Sequence, residues 1–170
     1  DLPTVVHSRI DTDGDSAAVD DAVQAADDGV YELDRERLRE LDPDVVVTQG
    51  ICDVCAVDET VARRTVADLG LDAEFVATHP HTLSDVLDDT ERLGAVVGRE
   101  TRAAELRAGL EARIDAVRET AATAVGQSGR PRVGALGWVG PAVVAGHLAP
   151  GGVETAGGDR YRQAHVIAPE

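Results

Sequence analysis

The two cysteines of the chain, Cys52 and Cys55, form a C-x-x-C pair between a predicted strand and a predicted helix. As a zinc half-site the pair needs two more ligands, and the H-P-H motif of His79 and His81 could supply them. As a redox centre it would use the helix N-terminus to lower a thiol pKa, although no Trp precedes Cys52 and neither Pro nor Gly lies between the cysteines. As a structural feature it is a local disulfide or two buried thiols. The residues alone leave all three interpretations open.

Two ring-bearing residues near the C-terminal end also have types that could bind a ligand. Trp138 is the only tryptophan, His147 follows it, and a glycine precedes each of them. A tryptophan where a strand is expected to end can belong to a core or form a flat wall for a ligand ring. We assign His7 and His165 to structural roles, since a lone histidine near a strand end is more often a satisfied polar group than a ligand.

Sequence motifs for catalysis are absent. No P-loop or G-x-G-x-x-G follows a predicted strand, and no serine stands in a G-x-S-x-G elbow. Paired aspartates are numerous, but in a chain with 32 Asp and Glu residues such pairs are expected by chance on solvated faces. We therefore predict no catalytic residue and a protein that is not an enzyme.

The charge of the chain restricts its partners and its environment. Its 170 residues carry 32 acidic and 16 basic side chains, all of the latter arginine, for a net charge of −16. A nucleic acid would be repelled, so we exclude it as a partner. At about 1 M ionic strength the Debye length falls to roughly 3 Å, which would screen such an acidic surface. The composition thus indicates a protein adapted to concentrated salt.

The elements that must position these residues follow an α/β pattern. A short strand is predicted in residues 3–10 and a buried strand in 45–48, and the latter is followed by a helix in 58–69 and a strand in 74–78. Strand and helix alternate as in βαβ units, so we predict a Rossmann-like lobe with a parallel sheet.

A long helix is predicted to follow this lobe. Thr82, with Asp85 three residues later, resembles a capping box, and Gly98 interrupts the apolar face that begins there. The face resumes in residues 100–124, which would form a helix of about 37 Å. A Gly- and Pro-containing linker over 126–131 then leads into a second α/β lobe of only about 40 residues, too few for an independent core. We predict an N-terminal lobe over 1–98, a backbone helix over 99–125 and the start of an incomplete second lobe over 130–170.

Four segments resemble a known family: SRID at 8–11, LRELDPDVVVTQGICDVCAV at 38–57, HPHTLSDVLDD at 79–89 and RPRVGALGWVGPAVVAGHLAP at 130–150. Together they resemble the substrate-binding proteins of ABC importers for cobalamin and iron siderophores, and most of all the cobalamin-type branch from salt-loving archaea. The resemblance covers nearly the whole chain. It implies two α/β lobes bridged by one long helix, with the ligand held in a cleft between them.

The resemblance also implies the residues of the binding site. The cleft would be lined by loops at the carboxyl ends of parallel strands, where ligands of open α/β sheets bind. The residues implied are Ser8, Arg9, Gln49, Gly50, Ile51, His79 and His81 on the first lobe, and Trp138, Pro141 and His147 on the second. The expected ligand is a corrinoid such as cobalamin or another metal chelate. No resident cofactor, no metal ion and no catalytic residue are expected, and Cys52 and Cys55 are assigned as a possible disulfide.

Docking to a membrane permease is a further implication. In the family an acidic residue on each lobe contacts basic residues of the permease, and Glu59 and Glu170 stand at the matching positions. We expect an extracytoplasmic location with a lipid anchor. Neither a signal peptide nor an initiating Met is visible at Asp1, which indicates a processed or excised segment.

Two alternatives to a corrinoid carrier stay open. The first is an iron-siderophore or heme-binding protein of the same fold. The second is a thiol-disulfide oxidoreductase or zinc-binding protein that uses the C-x-x-C pair. Thiol titration would separate the second from a carrier, because a reactive cysteine has a pKa well below its ordinary value.

Overall fold

The structure is a computed structural model that describes residues 2–26, 29–51, 56–139, 142–160 and 166–167. The chain forms two compact units, Asp1–His79 and Pro80–Glu170. The mixture of helices with a parallel sheet and one long helix confirms the predicted α/β class. The predicted boundaries of the lobes remain a prediction.

The first unit contains four strands and three helices in its described residues. They are β1 (Val6–Ser8), α1 (Ser16–Gln24), β2 (Tyr31–Leu33), α2 (Arg35–Leu41), β3 (Val45–Gln49), α3 (Glu59–Leu69) and β4 (Glu74–Thr78). Each helix begins after an aspartate whose carboxylate accepts a hydrogen bond from a backbone N–H of the first turn, and these caps are Asp15, Asp34 and Asp58. Such caps typically contribute about 1 kcal/mol each. The abundant aspartates of the sequence thus also define where helices start.

The β3–β4 pair is the centre of the first unit. The two strands are parallel, and their register aligns Val46 with Phe75 and Gln49 with Thr78. Val76 of β4 is only 2% exposed, and α3 covers the pair with Ala62 and Val66. The continuous β-branched run of β3 and the helix that follows it were both predicted, and both are confirmed.

Part of β3 nevertheless lies at an apolar groove. Within the described residues β4 is its only hydrogen-bonded neighbour, and Val47 is 49% exposed. The prediction of a buried strand is therefore wrong for Val47, and the other residues of β3 are half-buried. The reason is that β1 and β2 pair with each other, antiparallel, in a separate sheet. The groove between these elements has a volume of about 450 Å³ and is lined mainly by aliphatic residues, namely Val5, Val6, Tyr31, Leu33, Leu38, Val46, Val47, Thr48, Gln49, Ala56, Val57, Ala62 and Val66.

The second unit begins with two helices that pack on each other. They are α4 (Leu83–Val96) and α5 (Glu100–Ser128), separated by Gly98 with a left-handed φ of 64°. The predicted capping box is present, because Thr82 accepts from the Asp85 N–H and Asp85 accepts from the Thr82 N–H. The break at Gly98 is also where the sequence predicts it.

The crossing of α4 and α5 depends on two small buried residues. Gly94 of α4 is buried against Ala103 of α5, and a Cβ at Gly94 would overlap with the Ala103 side chain. Beside this contact, Arg107 of α5 binds Asp88 at 2.6 Å and Glu91 at 3.0 Å, both on α4. The hydrogen bond with Asp88 is the main reason that the pKa of Arg107 is raised. Close packing and this ion cluster together fix the helix pair.

The long helix α5 has 29 residues, so it runs unbroken for about 43 Å. Its predicted apolar face is only partly covered in the described residues: Ala103 is buried, Leu110 and Ile114 are half-buried, and Leu106 and Val117 are each 47% exposed. None of the helices in the described part of the chain is long and apolar enough to cross a membrane. The predicted rigid helix is thus present, with much of its surface open.

The rest of the second unit is built from short elements. They are β5 (Arg132–Val133), β6 (Leu136–Val139), β7 (Ala142–Val144), α6 (Ala149–Thr155), β8 (Asp159–Arg160) and β9 (Val166–Ile167). β5 pairs with β8 in parallel, whereas β6, β7 and β9 form an antiparallel sheet. The sequence predicts one strand over 132–136 with Trp138 at its exit. The structure instead places Trp138 inside β6, which pairs antiparallel with β7.

Candidate functional site

The carboxyl ends of β3 and β4 bring predicted binding residues together in the first unit. The parallel register places Gln49 beside Thr78, so the residues that follow each strand meet at one edge. The Gly50 N–H donates to the Thr78 carbonyl oxygen at 2.8 Å, and the Gln49 side-chain oxygen accepts from the Ile51 N–H at 3.3 Å. Ligands of open α/β sheets bind at this edge.

A carboxylate and an imidazole form the polar centre of this edge. Glu59 is the first residue of α3, and its Oε2 lies 2.8 Å from His79 Nε2. Its other oxygen, Oε1, lies 2.8 Å from Arg63 Nη2 one helical turn later. The His79 side chain is 50% exposed and that of Glu59 27%. The pair is therefore accessible from solvent, and an arginine holds the Glu59 carboxylate in position.

The charge state of Glu59 follows from these contacts. The hydrogen bond from Arg63 is the largest cause that lowers the pKa of Glu59, desolvation opposes it, and the hydrogen bond and charge of His79 lower the pKa further. A glutamate at the start of a helix is also favoured as an anion by the helix dipole. Glu59 is thus a carboxylate at neutral pH.

Arg63 is itself held in place by an aromatic ring. Its guanidinium carbon lies 4.3 Å from the ring centroid of Phe75 on β4, within the range of a cation–π contact. Phe75, Arg63, Glu59 and His79 therefore form a continuous chain of contacts from the sheet to the surface. We call these four residues the Glu59 relay.

Gly50 is needed where the Glu59 relay meets the loop after β3. A Cβ at this position would overlap with His79 Nε2 and lie 3.1 Å from Glu59 Oε2. The glycine leaves room for the imidazole beside the loop, and a larger residue here would require the half-exposed His79 side chain to move. Gly50 and His79, two residues predicted to bind ligand, are thereby brought together with Glu59, which is predicted to dock to a permease.

The other predicted residues of the first unit have local partners. Ser8 ends β1, and its hydroxyl donates to the Ile10 carbonyl oxygen at 2.8 Å. The Arg9 guanidinium lies 3.6 Å from a carboxylate oxygen of Glu32. Both residues are exposed.

The predicted residues of the second unit lie on different elements. His81 is exposed just before α4, and its N–H donates to Asp85 at 2.9 Å. Trp138 is half-buried in β6. His147 is exposed, with a left-handed φ of 50°. Whether these side chains share one site with the first unit stays a prediction.

Four predicted residues, Cys52, Cys55, Pro141 and Glu170, lie outside the described residues. The disulfide, the wall formed by Pro141 and the second docking residue therefore remain predictions. In the parts of the chain that the structure describes, no group of three or more His, Cys, Asp and Glu side chains is placed to hold a metal ion.

Two members of the Glu59 relay, Arg63 and Phe75, were not singled out from the sequence. The pairing of Glu59 with His79 was also missed, because it joins residues 20 positions apart. A signal was available: Glu59 opens the helix after one strand and His79 directly follows the next strand, so parallel pairing of the strands brings both to the same edge.

Comparison with solved structures identifies the fold. The chain matches an ABC transporter substrate-binding protein from Listeria monocytogenes EGD-e, with 24% identity and a TM-score of 0.55 over 79% of this chain and 49% of the other. The chain has the fold of ABC transporter substrate-binding proteins. This agrees with the predicted resemblance, and this substrate-binding fold accounts for a lobe with a parallel sheet and a long helix. No protein-family model and no curated protein matches the sequence significantly.

Two further structures with the substrate-binding fold are heme proteins. One is S. aureus IsdE complexed with heme, with 20% identity and a TM-score of 0.54 over 76% of this chain and 47% of the other. The second is the periplasmic heme-binding protein RhuT from Roseiflexus sp. RS-1 in its apo form, with 21% identity and a TM-score of 0.57 over 75% and 47%. The chain thus spans about half the length of these proteins. All three are binding proteins and not enzymes, in agreement with the prediction.

Proposed function

We propose that this chain belongs to the substrate-binding component of an ABC importer, which captures a metal chelate outside the cytoplasm and delivers it to a permease. The observation that carries the proposal is the substrate-binding fold, with predicted binding residues collected where β3 and β4 end. The chelate is cargo, and the protein needs no resident cofactor for this role. A lipid anchor and an origin in a salt-loving archaeon, as the acidic composition suggests, belong to the same proposal.

A corrinoid is the ligand we propose first, because the segments 38–57 and 130–150 resemble the cobalamin-type branch. Heme is the second candidate, and the observation in its favour is that two structures with this fold are a heme complex and a heme-binding protein. Both ligands are large, flat metal chelates. A ferric siderophore, carried by a protein of this same fold, is the third candidate, and the same experiment tests it.

Ligand identity can be tested by following the fluorescence of Trp138, the only tryptophan of the chain. We expect saturable quenching by cyanocobalamin in about 1 M KCl, where the acidic surface is screened, with a Kd near or below about 1 μM. Hemin and ferrichrome are titrated in parallel, and the absorption spectrum of each chelate gives a second readout. Saturation by hemin alone would assign a heme carrier. The absence of saturable binding by all three chelates would contradict the proposed function.

Glu59 is the residue proposed to dock to the permease. Its carboxylate is ionised and more than a quarter exposed, so it can accept further hydrogen bonds from a basic side chain. We expect Glu59→Gln to weaken binding to vesicles that contain the permease by at least about tenfold, or ~1.4 kcal/mol. Glu74→Gln is the matched control, since Glu74 is exposed at the opposite end of β4. Equal binding of the two variants would contradict a docking role for Glu59.

A further inference from the structure

The net charge of the chain is divided unequally between its two units. Residues 1–79 contain 20 acidic and 6 basic side chains, a net charge of −14, whereas residues 80–170 contain 12 acidic and 10 basic side chains, a net charge of −2. The two units are similar in length, so the difference lies in composition. Repulsion between like charges is therefore expected to act mainly within the first unit.

The ion pairs of the described residues follow the same division. In the second unit seven acidic side chains pair with an arginine, and three of the seven share Arg107. In the first unit only four of the described acidic side chains do so, namely Glu32, Glu40, Glu59 and Asp68. Most of the described carboxylates of the first unit thus have no arginine to offset their charge.

Four of these carboxylates meet where β3 and β4 begin. Asp42 and Asp44 precede β3, Asp72 precedes β4, and Glu74 is its first residue. The Glu74 N–H donates to the Asp44 carbonyl oxygen at 2.8 Å, so the two segments are adjacent. All four side chains are exposed, and none of them forms an ion pair within the described residues. We call them the strand-base carboxylates, and like charges on neighbouring strands oppose strand pairing.

The candidate site lies at the other end of the same strand pair. One register aligns Val45 with Glu74 at the base and Gln49 with Thr78 at the site. In the described part of the chain β4 is the only hydrogen-bonded neighbour of β3, so this pairing alone holds β3 in a sheet. Repulsion at the base therefore opposes the register on which the site depends.

We propose that the β3–β4 pair is a salt-dependent element, in which screening of the strand-base carboxylates permits the register that assembles the candidate site. The Debye length falls from about 10 Å at 0.1 M ionic strength to roughly 3 Å at 1 M, which is short enough to separate these charges electrostatically. In dilute salt the strand pair opens locally, while the charge-balanced second unit keeps its helices. The consequence for ligand capture rests on the proposed function: the affinity for a chelate rises with salt.

Hydrogen–deuterium exchange of the whole chain tests where salt acts. Exchange is measured at about 0.1 M and 1 M KCl, and each rate is divided by that of an unstructured peptide in the same salt. We expect residues 45–49 and 74–78 to exchange at least about tenfold more slowly in 1 M KCl, because the strand pair then opens less often. Exchange in α4 and α5 is expected to change by less than about threefold.

Two double variants separate the strand-base carboxylates from net charge in general. Asp72→Asn with Glu74→Gln removes two of the four charges, and it should slow exchange of the β3–β4 pair in about 0.1 M KCl by at least about threefold and reduce its dependence on salt. Glu100→Gln with Glu119→Gln removes the same charge from exposed positions of α5 that form no ion pair within the described residues. That control should leave exchange of the strand pair unchanged.

The outcomes distinguish this inference from the proposed function. Equal effects of salt on the β3–β4 pair and on α5, or equal effects of the two double variants on the strand pair, would show that the inference is wrong, and a chelate carrier would still stand. If exchange behaves as expected but cyanocobalamin, hemin and ferrichrome do not bind at either salt concentration, the proposed function fails and the salt-dependent pairing stands. Slower exchange together with tighter binding in 1 M KCl supports both.

Discussion

Replacing Gly94 by alanine is expected to destabilise the second unit by about 1–3 kcal/mol, the usual cost of overpacking a filled interior. The added methyl group would overlap with the Ala103 side chain, which is fixed on the backbone of α5 and cannot rotate away. The helices would have to separate, and the contacts of Arg107 with α4 would lengthen as they did so. For a chain of this size the loss corresponds to a fall in Tm of roughly 2–4 °C per kcal/mol.

The chain offers a matched control for this variant. Gly109 lies in the interior of α5, and a Cβ there would meet no atom within 4 Å. Gly109→Ala should therefore stabilise the protein by up to about 1 kcal/mol through helix propensity alone. Thermal unfolding followed by far-UV circular dichroism compares the two variants. Adding Ala103→Gly to Gly94→Ala should recover part of the loss, and equal Tm values for the two single variants would contradict the close crossing.

Salt is expected to have the second large effect, raising Tm by at least about 4 °C between roughly 0.1 M and 1 M KCl, a shift worth about 1–2 kcal/mol for this chain length. A net charge of −16 on 170 residues opposes compaction, and screening relieves that repulsion. The described core offers little to offset it, since nine apolar side chains are buried and none of the large ones is below 2% exposed.

Charge screening by salt can be distinguished experimentally from preferential exclusion of a solute from the protein surface. Sucrose favours burial without screening charge, so it should not reproduce the shift at matched water activity. Removing acidic charge should act in the same direction as screening it: Asp72→Asn combined with Glu119→Gln, both at exposed positions, should raise Tm more at about 0.1 M than at about 1 M KCl. A Tm that is independent of KCl would contradict the argument.

The sequence predicted the elements whose causes are local. The β-branched run of β3, the capping box of Thr82 and Asp85, and the break at Gly98 each depend on a few adjacent residues, and the structure confirms all three. In contrast, the sequence does not predict β2, because a strand of three residues is too short to show an alternating pattern. The sequence predicts that Trp138 lies where a strand ends, whereas Trp138 lies within β6, which pairs with β7.

The candidate site was predictable only in part. Gly50, His79 and Glu59 were each singled out, but their contact depends on the register that aligns Gln49 with Thr78, and a register is set by pairing between distant segments. The exposure of Val47 and of much of α5 could not be predicted either, because it too depends on contacts between distant segments. Periodicity shows which residues are apolar, and only tertiary packing decides which of them are covered.

The groove beside β3 has a consequence for the behaviour of the protein in solution. A strand that has one hydrogen-bonded neighbour in the described residues and an exposed valine is a surface on which another chain can add a strand, and native proteins commonly oppose such association with charge. Here the protection is long-range, because the acidic surface keeps copies of the chain apart. Salt weakens that repulsion as well, so the conditions that favour the folded chain also bring copies of it closer together. Colloidal stability and conformational stability therefore have opposite dependences on ionic strength.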